Sequence, residues 1–278
     1  MPAPANPELA PVNTGTNLTL PEIDNDLRAA LAAFAAHERV LVALDFDGTM
    51  SPLVDRPEDA RPLPDSALAF QSLSQRPGIY AALVSGRNLA SLAAVYPEPV
   101  PEICIGSHGA ERRVPQEFSA DWEEQPLSAV QLDRLKQLST ALETIAQMHK
   151  DVTLEYKPSA TVLHVRRAQP EVGIAAIAEA KLALSSIPGV KLLEGKSVLE
   201  ASVHQGDKGE SLTWLRELLH VDAVLFVGDD VTDENGFRVL TSSDLGIKVG
   251  PGETLARHRI ATPQDLPHLL QILISMRN

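Results

Sequence analysis

From Val40 to Leu44 every residue is apolar, and the run stops abruptly at Asp45-Phe46-Asp47-Gly48-Thr49. Short unbroken apolar runs rich in β-branched residues predict strands buried on both faces of a parallel sheet. The same texture recurs at 79–84, 103–105, 223–227 and 245–249, the last being the final strand expected. Helical spacing fills the gaps. Residues 23–37 bring Leu27, Leu31 and Phe34 onto one face, Asp65 is a candidate N-cap for a helix to about Gln75, Asn88 opens another helix, and 208–219 reads as a further one. Residues 51–64, with Pro52, Pro57, Pro62 and Pro64, read as an irregular loop. Alternating strands and helices predict an α/β fold, a Rossmann-like parallel-sheet core with its polar, glycine-bearing loops on one edge.

Between 112 and 203 the rhythm changes. Leu132, Leu135, Leu138, Leu142, Ile145 and Met148 recur every three or four residues, which predicts a long amphipathic helix. Residues 152–156 and 161–165 then alternate like half-exposed strands, an alanine-rich helix spans about 170–186, and strand candidates follow at 190–193 and 198–201. Helix, two strands, helix, two strands is an α+β unit with a sheet of its own. The expected organisation is a flexible tail over 1–20, a core made of 21–111 and 204–278, and an inserted α+β cap domain at 112–203.

Charge and cysteine usage narrow the function. The 278 residues carry 37 acidic and 24 basic side chains, a net charge of −13. That argues against a nucleic-acid or anionic-membrane partner, because both need a basic surface. No stretch is apolar and long enough to span a bilayer, and the proline-bearing start lacks a signal peptide's basic end and apolar centre. A lone cysteine, Cys104, excludes an internal disulfide framework. A soluble cytoplasmic protein, compatible with a monomer, is expected.

The strand ends carry the chemistry. Asp45 and Asp47 could be a strand-end acid and a turn-forming Asp-Gly, or two carboxylates beside a hard divalent cation. Ser85 and Arg87 follow the second strand, Lys208 opens a helix, and Asp229, Asp230 and Asp233 follow a later strand. Acids, one hydroxyl and one lysine suit phosphoryl transfer better than acyl transfer, since that chemistry needs charge neutralisation around the phosphate oxygens. Ser85-Gly86 could equally be a plain turn, His108 a turn residue, and Glu155, Lys157, His164 and Arg166 one solvated strand face.

Taken together, Asp45-Phe46-Asp47-Gly48-Thr49, Ser85, Lys208 and Gly228-Asp229-Asp230 resemble the four motifs of haloacid-dehalogenase-type (HAD-like) phosphatases. Gly106-Ser107-His108-Gly109-Ala110-Glu111, Glu194-Gly195-Lys196, Asp207-Lys208-Gly209 and Gly228 through Glu234 extend the resemblance to the trehalose-6-phosphate phosphatase family. The resemblance implies an Mg²⁺-dependent phosphatase that hydrolyses a disaccharide phosphate, trehalose 6-phosphate first, to the sugar and phosphate through an aspartyl-phosphate. Asp45 would be nucleophile and metal ligand, Asp47 general acid/base and metal ligand through its backbone carbonyl, and Asp229 a metal ligand. Asp230 and Asp233 would orient the metal's surroundings, while Thr49, Ser85 and Lys208 would hold the phosphate. Arg87, His108 and Glu111 would face the sugar from the core, and Glu155, Lys157, His164, Arg166, Glu194 and Lys196 from the cap. One departure bears on specificity: Ala201-Ser202-Val203 stands where the family commonly has an arginine. Sucrose phosphate and mannosyl-phosphoglycerate therefore stay open as substrates, as do a sugar phosphotransferase and a catalytically idle regulator that binds sugar phosphate.

Overall fold

The computed structural model describes residues 23–119, 126–195 and 197–277. The chain opens with α1 (Asn25–Ala35), β1 (Val40–Leu44), α2 (Pro64–Ser74), β2 (Ile79–Val84), α3 (Leu89–Val95), β3 (Ile103–Gly106) and β4 (Glu111–Arg113). It continues with α4 (Gln116–Ser119), α5 (Ala129–Met148), β5 (Thr153–Lys157), β6 (Ala160–His164), α6 (Pro170–Leu184), β7 (Lys191–Gly195) and β8 (Val198–Ser202). It closes with α7 (Lys208–Leu219), β9 (Ala223–Gly228), α8 (Asp233–Arg238), β10 (Leu245–Val249), β11 (His258–Ile260) and α9 (Leu266–Met276).

Seven strands form one sheet in the order β11-β10-β9-β1-β2-β3-β4, parallel except where β4 runs against β3. Strand β1 lies at its centre because alternate residues feed two cores. Val40, Val42 and Leu44 pack in the cluster that includes α1, α2 and α9, while Leu41 and Ala43 pack with Leu212, Leu215 and Leu219 of α7. A strand buried on both faces must be apolar throughout, which is the pattern β1 shows. Chain progression reverses between β1 and β9: β2 and β3 lie on one side, β9 to β11 on the other. Ligands in open parallel sheets bind outside the strand ends at such a reversal. Leu44 pairs with Leu83 and with Val227, so β1, β2 and β9 end within one residue of the same level and bring Asp45, Ser85 and Asp229 to one edge of the sheet.

Four sheet and helix boundaries differ from expectation. Asp65 does not cap α2, because Pro64 takes the first helical position, where its fixed φ and missing N–H suit a helix start. Helix α1 begins after Asp24, whose carboxylate accepts from Leu27 N at 2.7 Å. The core sheet takes in Arg112 and Arg113, beyond the boundary expected at 111, because β4 pairs with β3. The chain also adds β11 and α9 after the strand expected to be last. Strand β11 has three residues and only one is fully buried, which gives too little periodicity to read.

The middle of the chain forms a second, antiparallel sheet in the order β5-β6-β8-β7. Leu163, Leu199 and Ala201 pack against Leu138, Leu142 and Ile145 of α5 and against Ala176, Ala180 and Leu184 of α6. Strand alternation puts Glu155, Lys157, Val162, His164 and Glu200 on the opposite face, with Glu155, Val162 and Glu200 in one cross-strand row. Among the described residues no helix is long and apolar enough to cross a membrane.

Candidate active site

The two faces meet at the carboxyl ends of β1, β2 and β9. Lys208 is the first residue of α7 and is almost fully buried, an unfavourable place for a cation on helix-dipole grounds. Two carboxylates offset that cost. Lys208 Nζ lies 2.8 Å from Asp45 Oδ1 and 2.7 Å from Asp233 Oδ1. Asp207 caps the helix beneath it, accepting from Gly209 N and Glu210 N. Asp233 Oδ2 also accepts from Asp230 N, so one buried carboxylate ties Lys208 to the loop after β9. Lys248, reaching up from β10, donates to the backbone carbonyl of Asp229 at 2.5 Å.

Oxygens of Asp45, Asp229 and Asp233 all lie within 4.8 Å of one another. Three acids against one ammonium leave excess negative charge in a desolvated place. Burial pushes the Asp45 carboxyl well up despite Lys208, and Asp233 and Asp229 add to the shift. Burial and Asp233 likewise push Asp229 up to about 7. Burial alone would lower the Lys208 ammonium, but Asp233 and Asp45 outweigh it and hold it above its ordinary range. The donor set fits a hard divalent cation, which takes oxygen ligands. Two further features agree: Asp229 Oδ1 and Thr49 Oγ1 are buried without a partner, and Gly48 leaves the space that Asp229 occupies. Asp230, by contrast, is exposed.

Asp47 does not join that acid group. Its two oxygens meet Arg87 as a fork, Nε to Oδ2 at 2.6 Å and Nη2 to Oδ1 at 2.7 Å. Arg87 was expected to face a sugar and is instead committed to this pair. Ser85 is buried, and its Oγ accepts from Arg87 N at 3.1 Å.

The polar face of the second sheet docks over this edge. Lys157 Nζ donates to Gly86 O at 2.8 Å and to Glu200 Oε2 at 2.6 Å. His108 packs over Gly86, where an added Cβ would lie 2.5 Å from the imidazole Cε1. Ser107 and His108 hold consecutive left-handed conformations, φ 49° and 56°, a costly arrangement for residues with side chains. The turn aims His108 at the cap, with Nε2 3.8 Å from Glu200 Oε2 and Nδ1 buried without a partner. Burial, then the nearby lysines Lys208, Lys157 and Lys191, push its pKa well down, in the direction of the neutral imidazole. Glu155 pairs with His164 at 3.0 Å, and that bond is the main cause holding the Glu155 carboxyl below its usual range.

The remaining expected sugar contacts fare differently. Glu111 accepts from Ser107 Oγ at 2.5 Å and so supports the strained turn. Arg166 donates to the Val54 and Asp55 carbonyls of the core loop, fastening the second sheet to it. Glu194 lies opposite Leu199 in the register, on the helix-facing side, and pairs with Lys181 of α6. Alternation along a strand makes one residue of offset enough to turn it away from the core. Lys196 lies outside the described residues. Glu200 was not anticipated. Its signal was its alternation with Leu199 and Ala201, but only the pairing with β6 shows that it shares a face with Glu155.

Residues 43–265 match the family model described as trehalose-phosphatase. The chain is 30% identical over 243 residues to the trehalose-6-phosphate phosphatase of Escherichia coli, covering 82% of this chain and 84% of that protein. It is also 30% identical to the bifunctional trehalose-6-phosphate synthase/phosphatase of Thermoproteus tenax, of which it spans 32%, with 86% of this chain aligned. Among solved structures, the C-terminal domain of a Candida albicans trehalose-6-phosphate phosphatase shares the fold. Its TM-score is 0.75 at 21% identity, over 90% of this chain and 97% of that one.

Proposed function

The chain belongs to the trehalose-phosphatase family, and from that premise we propose that it hydrolyses trehalose 6-phosphate to trehalose and inorganic phosphate through an aspartyl-phosphate. The observation that carries this reading is the buried cluster of Asp45, Asp229 and Asp233 around Lys208, covered by the polar face of the second sheet. In it Asp45 is the nucleophile: a carboxylate oxygen attacks phosphorus as the bond to the sugar oxygen breaks. Asp47 gives a proton to the departing sugar oxygen. A water then attacks phosphorus and passes its proton to Asp47, the bond to Asp45 breaks, and phosphate leaves. Lys208, Thr49 and Ser85 hold the phosphoryl oxygens, with Lys208 already centred between two carboxylates. Asp233 fixes Lys208 and the Asp230 backbone.

Magnesium, held by Asp45, Asp229 and the Asp47 backbone carbonyl, would neutralise phosphate charge. Residues from about 114 to 203 act as a cap that excludes water and reads the sugar. Glu155, Lys157, His164 and Glu200 supply its polar face, and His108 its neighbour on the core side. Such groups discriminate because a wrong ligand leaves them buried and unpaired. The acidic composition and lone cysteine suit a cytoplasmic enzyme.

The test is phosphate release from trehalose 6-phosphate, sucrose 6-phosphate, glucose 6-phosphate and p-nitrophenyl phosphate, each with Mg²⁺ and with EDTA. Mg²⁺-dependent turnover with trehalose 6-phosphate strongly preferred is expected. Preference for another sugar phosphate would overturn the substrate assignment, and turnover unaffected by EDTA would overturn the metal.

A further inference from the structure

The Arg87–Asp47 pair is more than a charge contact. Arg87 is held on several sides. Its backbone N donates to Ser85 Oγ at 3.1 Å and its carbonyl accepts from Ser107 N at 2.7 Å. Its guanidinium lies 5.4 Å from the Phe46 ring centroid and 3.3 Å from Ser91 Oγ. The Arg87 side chain is 9% exposed, whereas that of Asp47 is 36% exposed. The arginine is therefore the fixed member and the aspartate the one being aimed. A two-point fork sets the plane of a carboxylate as well as its position, which a lysine's point charge cannot do. The turn that carries Arg87 is also where the cap touches the core, through Lys157 Nζ on Gly86 O.

We propose that Arg87 is a positioning residue that acts on the reaction through Asp47, setting the direction of its carboxylate for proton transfer to the sugar oxygen, and is not a sugar ligand. Through Gly86, cap docking and the aim of Asp47 share one turn. The proposal rests on the reading of Asp47 as general acid/base given above.

Leaving groups separate the possibilities. A sugar alkoxide needs a proton to depart, whereas p-nitrophenolate and acetate do not. Arg87→Met and Arg87→Lys are compared with wild type on trehalose 6-phosphate and on p-nitrophenyl phosphate or acetyl phosphate. General acid catalysis contributes about 10²–10⁴-fold, so misdirecting the acid is expected to lower kcat on the sugar phosphate by roughly 10–100-fold. KM for the sugar phosphate should stay near wild type, and so should the first-turnover burst of p-nitrophenolate, which needs no acid. Steady-state turnover of the activated phosphates falls only as far as Asp47, misaimed as base, slows hydrolysis of the aspartyl-phosphate. The lysine variant should behave like the methionine one. A loss in the p-nitrophenolate burst as large as the loss in sugar release would overturn the proposal in favour of phosphate binding or folding. A raised KM with kcat preserved would overturn it in favour of sugar contact, and full recovery in Arg87→Lys would overturn the two-point grip. Asp45→Asn run alongside keeps the two readings apart. If that variant turns over the activated phosphates, the aspartyl mechanism fails whatever Arg87 does.

Discussion

Gly48 is the residue on which the assembly of the acid cluster depends most narrowly. It has φ +80°, and a Cβ there would sit 2.1 Å from Asp229 Oδ2 and 2.2 Å from its Cγ. Gly48→Ala therefore does two separable things. Left-handed backbone costs a residue with a side chain about 1–2 kcal/mol. The Asp229 carboxylate must also retreat from Asp45 and Asp233, which breaks the oxygen set now lying within 4.8 Å. Displacing a ligand should weaken Mg²⁺ binding by at least about tenfold, or ~1.4 kcal/mol. Gly252→Ala is the matched control: φ is +105° there, and nothing lies within 4 Å of the added Cβ. Urea unfolding of the metal-free proteins reads the backbone cost, and calorimetric titration with Mg²⁺ reads the site. Both variants should lose comparable stability, and only Gly48→Ala should lose the metal. Wild-type Mg²⁺ affinity in Gly48→Ala would refute the argument that this glycine makes room for Asp229.

Lys208→Met strands Asp45 and Asp233 in a buried place without their cation, and should cost about 3–5 kcal/mol in the absence of metal, measured by urea unfolding. Turnover should vanish with it, and stability equal to wild type would count against the pairing. Asp244 accepts from Val224 N, Thr241 N and Thr241 Oγ1 and pairs with Arg216. Burial would raise its carboxyl, but Arg216 and those backbone donors outweigh it and hold the pKa low. A depressed carboxylate stabilises the fold above the unfolded value, and that contribution is lost as pH falls through the folded one. Asp244→Ala should thus cost about 1–3 kcal/mol at pH 7 and flatten the loss of stability below roughly pH 4. Unfolding midpoints across that range check both parts. Glu194→Ala should change KM for sugar phosphate by less than about twofold, because its partner is Lys181 on the helix side. Steady-state kinetics decide it, and a large rise in KM would put Glu194 back at the sugar.

Buried strands and their ends were legible because β1, β2 and β9 are apolar throughout and stop at residues no sheet interior would tolerate. Asp45 and Asp229 stand at those ends, whereas Lys208, at the start of α7, stood out only through the motif set it shares with HAD-like phosphatases. What escaped depends on pairing across long separations. Glu200 reads as an ordinary strand acid until β8 is laid beside β6, and Glu194 reads as a sugar contact until the same register turns it outward. Asp47 and Arg87 lie 40 residues apart, and no local pattern announces that they form a fork. Strand β4 is three half-buried polar residues, held in the sheet by pairing with β3 and by no propensity of its own.

The central claim is that Asp45 forms and loses a bond to phosphorus, and replacing its attacking oxygen tests it most directly. Phosphate release from trehalose 6-phosphate by Asp45→Asn, with folding verified by its unfolding midpoint, should fall by at least about 10³-fold. Near-wild-type release from a folded Asp45→Asn protein would contradict the account.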